Sequence, residues 1–519
     1  MKTTIRIALS ILTFYLILIC SCGPSKLNRR LYDVHSTSDI PVSNKVLKVH
    51  MNNGDLLVLS KWHFDNTNNI MHGDGSHFDA SRKMVNTNHD YSISFEDIAL
   101  FETNFIDHYN GQTGQTVSMS IVSLLNLIFN AICISDPKNC FGSCPTYYAF
   151  NGSEMSLQAE GFSSSMARVY EEEDLDMLFD VENNSDTFLL EIRNEALETH
   201  LIRYCDLLVV PRYETERVYV SSEGVFFNSS RTIEPDKCIA EEGDILSKIK
   251  FYDEQERYSL ADSINLIKKE TIDLTFPNYH KKYGLIITSR QTLMTTYLFY
   301  QTMAYFGTTL PYWTSKLGDG DNIITNRGRK MYKLLGGIKV YVENSEKTWV
   351  EINEIHEMGP IASDFHMIEL PDLESDKINL RLEMTQGLWR IDYITLAELE
   401  GRIDPIRIQP YQLQKAHIDT PENLKILNDK NKYLVTFPGE RYCAYYKIPE
   451  NEQTYEYFIL SKGYYMEWMR EEWLEEEDKH MVNMLFIRPR KFMKEMAPKF
   501  KMAESQLDEI FWNSKIQTH

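Results

Sequence analysis

The stretch Ile378-Asn379-Leu380-Arg381-Leu382-Glu383-Met384 alternates apolar and polar side chains without interruption. Side chains along a β-strand point to opposite faces in turn, so this pattern predicts a strand with one buried and one solvated face. Segments 366–370 and 388–394 show the same alternation. The sequence therefore predicts paired, half-buried strands over 272–400, which we expect to form a β-sandwich.

Outside this region the composition also favours β-structure. The chain has 519 residues, 30 Tyr and 25 Phe among them, and aromatic side chains are enriched in strands. This length is enough for several domains of ordinary size. We expect a mainly β protein with minor α content.

Shifts in composition and periodicity divide the chain into consecutive segments. We expect a lipoprotein signal peptide (1–21), a lipidated cysteine and tether (22–42), a small β-domain (43–116), an apolar helix (117–138), a second β-domain (139–244), a helical linker (245–271), the sandwich (272–400), a further β region (401–463) and a helical tail (464–519).

Two turn signals shape the expectation for 43–116. Asn52-Asn53-Gly54-Asp55 follows an alternating strand and is typical of a hairpin turn, and His72-Gly73-Asp74-Gly75 predicts a second turn. Short strands joined by tight turns favour a small barrel-like unit.

The N-terminus predicts where the protein resides. Lys2 and Arg6 precede an apolar run over 7–19, and Ile19-Cys20-Ser21-Cys22 matches a lipobox with Cys22 as the acylated residue. The run is shorter than the roughly 20 residues of a membrane span. No Asp follows Cys22 at the second position, so we expect a lipid anchor in the outer membrane of a Gram-negative cell.

A second apolar stretch, 117–134, has helical periodicity with a polar stripe of serine and asparagine. We expect a helix, which either packs on neighbouring domains or lies in or on a membrane. Cys140 and Cys144 follow it, spaced for either a local disulfide or two packed thiols. Their spacing is not the C-x-x-C of thiol oxidoreductases.

Charge and motif content exclude several classes of function. The net charge of −21 argues against binding of nucleic acid or of an anionic membrane as the main role. The acidic run at 171–174 is expected to be an exposed turn. We expect no cofactor and no metal site. Two groups of residues are candidates for a metal site. One is an oxygen-rich loop with Asp319, Asp321 and Asn322. The other is a set of histidines that we expect to be solvated, namely His50, His63, His72, His77, His89 and His108.

The tail from 464 combines an apolar face with acidic residues outside it. Met466, Met469, Trp473 and Leu474 share one helical face, and Pro489 and Pro498 are expected to break the helix. We expect this face to pack on the β-domains, with a partner-binding helix as the alternative.

Several motifs resemble a family of uncharacterised bacterial outer-membrane lipoproteins with an "SCP-x-x-Y" β-domain and sandwich-like C-terminal domains. The segments that carry the resemblance are Ser143-Cys144-Pro145 with Tyr148, Phe150 and Gly152, 158–162, 191–199, 387–393, 463–468 and 510–512. The chain departs from that pattern at Thr146 and at 163–165. The resemblance implies an architecture and no catalytic residues.

The sequence contains no G-x-S-x-G, H-E-x-x-H or P-loop pattern. We therefore expect a non-catalytic, lipid-anchored envelope protein that binds a protein or glycan partner, or a scaffold in an outer-membrane complex. The sandwich region is similar to galactose-binding modules by fold analogy only. The alternative is an envelope hydrolase with a carboxylate-based site, for which Asp392 and Glu383 lie on predicted strands.

Overall fold

The computed structural model describes residues 26–40, 46–107, 144–318, 330, 333–356, 359–450, 453–469, 473 and 476–518. The chain separates into two compact units, 1–127 and 128–519. Several predicted features lie outside the described residues. These are Cys22, helix 117–134, Cys140, His108 and the loop with Asp319, Asp321 and Asn322.

The first unit is one antiparallel sheet with the strand order β1-β6-β2-β3-β4-β5. Its strands are β1 (Lys26–Tyr32), β2 (Leu47–Met51), β3 (Leu56–Asp65), β4 (Ile70–Phe78), β5 (Met84–Ser94) and β6 (Ile98–Asp107), with 3-10 turns at Val34–Asp39 and Phe95–Asp97. Within the described residues this sheet does not close into a barrel, since β1 and β5 are its edge strands, and the barrel-like prediction is corrected accordingly.

The two turn predictions in this unit have different outcomes. The hairpin at 52–55 is confirmed, with Gly54 at φ 88°. The second turn is wrong, because Gly73 and Gly75 lie inside β4. A Cβ at Gly75 would lie 2.0 Å from the carbonyl oxygen of Val58, so glycine is required there by the close approach of β3.

The second unit begins with two sheets and a small third one. The first has the order β28-β27-β30-β10-β7-β8, the second β26-β11-β31-β9 with β29 beside β11, and the third β12-β13-β25. Their strands are β7 (Thr146–Phe150), β8 (Met155–Glu160), β9 (Glu172–Met177), β10 (Thr187–Arg193), β11 (Glu198–Arg212), β12 (Arg217–Val220), β13 (Phe226–Ser229), β25 (Gly401–Ile403), β26 (Ile406–Ile408), β27 (Gln412–Lys415), β28 (Ile418–Asp419), β29 (Leu434–Thr436), β30 (Arg441–Lys447) and β31 (Thr454–Glu467).

Two further sheets share one buried cluster, to which β18, β20 and β23 of one sheet and β19 and β24 of the other contribute. Their orders are β14-β24-β19-β22, with β17 beside β24, and β16-β15-β18-β23-β20-β21. Their strands are β14 (Thr232–Ile233), β15 (Lys237–Ala240), β16 (Gly243–Asp244), β17 (Arg257–Tyr258), β18 (Lys269–Pro277), β19 (Tyr283–Gln291), β20 (Ile338–Glu343), β21 (Trp349–Ile355), β22 (Asp364–Glu369), β23 (Lys377–Thr385) and β24 (Trp389–Glu398).

The alternation at 378–384 is confirmed, since Ile378, Leu380, Leu382 and Met384 are all buried in β23. The chain is thus mainly β, with several antiparallel sheets and minor helices. The helices are α1 (Leu246–Ile249), α2 (Met294–Phe306), α3 (Leu310–Gly318), α4 (Pro421–Leu427), α5 (Lys479–Ile487) and α6 (Pro489–Asn513), with 3-10 turns at Arg168–Tyr170 and Gly307–Thr309.

The C-terminal tail packs on the β-body as expected, but its boundaries differ from the prediction. The apolar face of α6, including Phe492, Met496 and Phe500, joins the cluster shared by the two sheets. Met466 lies in β31 rather than in a helix. Pro489 occupies the first turn of α6, where its missing N–H costs no hydrogen bond. The prediction that Pro498 breaks the helix is wrong, because α6 continues through it to Asn513.

Candidate functional site

Hydrogen bonds join several of the segments on which the family resemblance rests in the folded second unit. Thr146 Oγ1 and Tyr148 OH donate to Glu195 Oε2 at 2.9 and 3.0 Å, and Lys515 Nζ lies 2.9 Å from the same oxygen. Trp468 Nε1 donates to Thr199 Oγ1 at 2.9 Å. Two of these bonds join residues almost 50 positions apart, and the other two join residues more than 250 positions apart, so they hold distant parts of the chain together.

Cys144 is buried at the edge of this group. Its Sγ lies 2.8 Å from Glu160 Oε1, and Glu160 Oε2 accepts the N–H of Ile361 at 2.7 Å. The disulfide between Cys140 and Cys144 stays a prediction, because Cys140 lies outside the described residues. Burial lowers the pKa of His200, in β11, to about 3, so its ring is neutral at neutral pH.

The other polar candidates make structural contacts within the fold. The run at 171–174 is not an exposed turn, because β9 begins at Glu172 and Glu171 binds Arg203 at 2.6 Å. His50 is buried rather than solvated, and its Nε2 lies 2.8 Å from Glu102. Among the residues the structure describes, no group of His, Cys, Asp and Glu has the geometry to hold a metal ion.

The two carboxylates considered for hydrolysis lie in different sheets. Glu383 is in β23, opposite Thr271 and Lys339, whereas Asp392 is in β24. Asp392 is almost fully buried, and its two oxygens accept the N–H groups of Asp253 and Glu254 at 3.5 and 3.1 Å. Asp392 therefore holds a loop rather than facing a second carboxylate across a cleft.

That loop, residues 250–264, is the candidate functional site. The prediction of a helical linker is wrong here, since the helix α1 ends at Ile249 and the loop that follows contains only the short strand β17. Glu254 has a φ of 63°, a left-handed conformation that costs free energy in a non-glycine residue. The bond to Asp392 stabilises this strained turn.

Further contacts fix the loop along its length. Tyr252 packs edge-on against Phe179, with ring centroids 5.0 Å apart. Arg290 Nη2 donates to Glu256 Oε2 at 2.7 Å. Glu504, on α6, accepts the N–H of Ala261 at 2.7 Å. The loop is thus held in place by a sheet on one side and by the C-terminal helix on the other.

Although its backbone is fixed, the loop presents large apolar side chains to solvent. The exposed fractions are 58% for Phe251, 46% for Tyr258, 59% for Leu260 and 73% for Ile264. Scattered single apolar residues are normal on a surface, but a concentration of them within one ordered loop is typical of an interaction site. The guanidinium of Arg390 lies 4.3 Å from the Tyr258 ring and orders it.

Sequence reasoning missed this site because it assigned the segment to a helix. The available signal was that Phe251 and Tyr258 fall on the side of that predicted helix opposite Ile249 and Leu260. An amphipathic linker would carry polar residues there. Two apolar residues on the polar face therefore indicated another conformation.

Asp392 makes the loop sensitive to pH. Burial raises the pKa of Asp392 to about 6, so the folded protein binds this proton more tightly than the unfolded chain does. The stabilisation from protonation is complete below pH 4 and is lost as the pH rises through 6. We expect Asp392→Asn to remove this decline, which amounts to about 2 kcal/mol, in urea unfolding at pH 4 to 7.

The matched control is Asp404→Asn, at an exposed carboxylate outside the loop. We expect it to leave the pH profile of unfolding as in the parent. If Asp392→Asn and the parent lose stability equally between pH 4 and 7, the assignment of this titration to Asp392 is wrong.

Comparisons with known proteins name no family for the chain. No family model and no curated protein matches it. Among solved structures, it is matched to the crystal structure of a GH31 alpha-xylosidase from Xanthomonas citri with a TM-score of 0.14 and 11% sequence identity, over 81% of this chain and 33% of that enzyme. The chain thus spans about a third of that enzyme's length, and a likeness this weak supports no argument about fold or activity. Within the described residues no helix combines the length and the apolarity needed to cross a membrane.

Proposed function

We propose that this chain is a non-catalytic, lipid-anchored protein of the outer membrane that binds a partner protein through loop 250–264. The observation that carries the proposal is the set of exposed apolar side chains on a loop that Asp392, Glu256 and α6 hold in place. A fixed apolar surface loses little conformational entropy on binding, which favours affinity.

A protein partner fits this surface better than a glycan. Leu260 and Ile264 are the most exposed of its large apolar side chains, and neither offers a hydrogen bond to a sugar hydroxyl. Aliphatic and aromatic side chains together are typical of the centre of a protein–protein interface. A galactose-binding role for the 272–400 region has only fold analogy behind it.

The hydrolase alternative has less support. It requires two carboxyls about 5–10 Å apart in a pocket. Asp392 is engaged with the N–H groups of the loop, and Glu383 belongs to the other sheet. The lipid anchor at Cys22 rests on the lipobox alone. It predicts acylation of Cys22, which Cys22→Ser abolishes and which mass spectrometry of the mature N-terminal peptide detects.

The binding proposal is tested by photo-crosslinking in intact envelopes. A photoreactive amino acid replaces Ile264, and in a matched control it replaces Ile418, which is 69% exposed and lies in β28. We expect one adduct of defined mass from position 264 and none from position 418. We also expect Leu260→Ser in the same chain to reduce that adduct at least severalfold, since a central apolar contact contributes about 1–2 kcal/mol.

Two outcomes would contradict the proposal. One is the absence of an adduct at position 264 above the level at position 418. The other is an adduct that Leu260→Ser and Phe251→Ser leave unchanged. Both residues are exposed, so their loss leaves folding intact, and circular dichroism of the variants verifies this.

A further inference from the structure

A cavity of about 550 Å³ lies where α5 meets α6, away from loop 250–264. Among the residues that the structure describes, seven line this cavity, and four of them are cations, namely Lys330, Arg488, Arg490 and Lys491. The other three are Leu334, Ile487 and Pro489. The chain as a whole has a net charge of −21, so this cavity differs in the sign of its charge from the protein around it.

These cations are not used by the fold. Within the described part of the chain, none of the four forms an ion pair with a carboxylate, although many other Lys and Arg residues do. All four are exposed. Like charges placed together repel one another, so the cluster is a net cost to the folded protein unless an anion occupies the cavity.

The first turn of α6 carries no acidic side chain that would balance these cations. Arg488 is the N-cap residue and makes no capping hydrogen bond through its side chain. A helix N-terminus bears a partial positive charge that Asp and Glu normally balance, whereas here Arg490 and Lys491 occupy that turn. The C-terminal end of α5, whose C-cap is the same Arg488, brings a partial negative charge to this junction, so the positive potential of the cavity comes from the side chains.

The remaining wall of the cavity indicates what kind of anion fits. Ile487 is 73% exposed directly beside the cations, and Leu334 and Pro489 line the same cavity. A small hydrophilic anion gains nothing from these apolar groups. An amphiphile with a phosphate headgroup satisfies both, because its phosphate contacts the cations while its glycerol and upper acyl carbons contact Ile487.

We propose that this cavity binds the phosphate headgroups of anionic phospholipids and so forms a contact with the membrane surface that is independent of the N-terminal lipid. The net negative charge of the whole chain argues against membrane binding as the main role, but it allows a local contact of this kind. At physiological ionic strength the Debye length is about 8 Å, so charges farther away than this are largely screened from the bilayer. The local cations then determine the sign of the interaction.

The test measures co-sedimentation of the full chain, carrying Cys22→Ser to prevent acylation, with vesicles of phosphatidylcholine alone or with 30% phosphatidylglycerol. The N-terminal apolar segment contributes in both cases, so the ratio of the two partition coefficients is the quantity compared. Each cation close to an anionic surface contributes about fivefold to partition. We expect Arg490→Gln/Lys491→Gln to reduce the ratio about 25-fold.

The control is Lys281→Gln/Lys282→Gln, which removes the same charge from exposed residues between β18 and β19. We expect it to change the ratio less than twofold. Equal effects of the two pairs would show a response to net charge alone and would overturn the proposal. A ratio near one for the parent chain would overturn it as well.

A second arm distinguishes a lipid from a soluble phosphate. Inorganic pyrophosphate is titrated into the same chain and followed by calorimetry, and we expect no saturable binding below millimolar concentration. Saturable binding that Arg490→Gln/Lys491→Gln abolishes, with no preference for phosphatidylglycerol vesicles, would assign the cavity to a soluble phosphate and overturn the membrane assignment. Ile487→Ser should weaken vesicle partition and leave any pyrophosphate binding unchanged.

Discussion

Replacing Arg257 by Met is expected to destabilise the second unit by about 3–5 kcal/mol, because it leaves a buried carboxylate without its counter-charge. The Arg257 side chain is completely buried. Its guanidinium donates to Glu270 at 2.8 and 3.1 Å and to Glu242 at 2.9 and 3.0 Å. Glu270 is itself almost fully buried, so water cannot replace the lost bonds.

A double-mutant comparison separates this effect from lost packing. Arg257→Met/Glu270→Gln removes both buried charges, and we expect it to recover most of the stability that the single variant loses. Glu242→Gln, at a carboxylate that is about two-fifths exposed, should cost no more than about 1 kcal/mol. Urea unfolding of each variant measures these differences.

The same variant tests the anchoring of loop 250–264. Arg257 lies in β17, which pairs with β24 at Ile391 and Arg390. We expect Arg257→Met to increase the rate of proteolytic cleavage within the loop, whereas Glu242→Gln leaves it unchanged. A loss below 1 kcal/mol for Arg257→Met, or a double variant as unstable as the single one, would contradict the role given to this ion pair.

In the first unit, Glu102→Gln is expected to cost about 3 kcal/mol for a related reason. Glu102 is buried and contacts Arg29, Lys48 and His50, each at 2.8 Å. Burial alone would raise the pKa of Glu102, but the charges of Lys48 and Arg29 and the bond to His50 hold it well below its usual value. Glutamine keeps the shape and removes the charge, so two largely buried cations lose their partner.

This cluster also makes the first unit labile to acid. Burial, only partly offset by the bond to Glu102, lowers the pKa of His50 to about 4, so the unfolded chain takes up this proton first as the pH falls below 6.5. The low pKa of Glu102 acts in the same direction, since its stabilisation is present above pH 4.5 and is lost as the pH falls through the folded value. We expect stability to decline steadily from pH 7 to pH 4.

Hydrogen exchange of peptides from 46–107 reports the first unit separately from the rest. We expect Glu102→Gln to increase exchange there by about a hundredfold at pH 7, which corresponds to about 3 kcal/mol. The control is Glu96→Gln, which alters an exposed carboxylate next to β6 and should leave exchange unchanged. Equal protection in Glu102→Gln and the parent would show that the ion cluster does not stabilise this unit.

The strands could be predicted wherever their pattern is local. The alternation at 378–384 and the hairpin at 52–55 depend on neighbouring residues, and both are found as expected. The predicted turn at 72–75 is wrong. Gly73 and Gly75 are required by the close approach of β3, which the sequence around them does not show. The predicted helix at 464–467 failed since β31 continues through these residues, paired with β11.

The candidate site could not be predicted from the sequence either, because its contacts join residues that are distant in sequence. Asp392 was singled out as a candidate acid, but its partners Asp253 and Glu254 lie about 140 residues away, and only the folded chain brings them together. The cations at Lys330 and 488–491 are also separated in sequence. Neither a loop surface nor a cavity of this kind has a periodicity that a sequence can display.

The sequence by itself determined that the chain is mainly β, through the period-two burial of its strands, and it predicts the lipid anchor through the residues around Cys22. The tertiary structure alone decided the path of loop 250–264 and the position of the cationic cavity. The physical reason is that burial and local hydrogen bonding act between near neighbours, whereas the ion pairs of Arg257 and the bonds of Asp392 join residues that only folding makes adjacent.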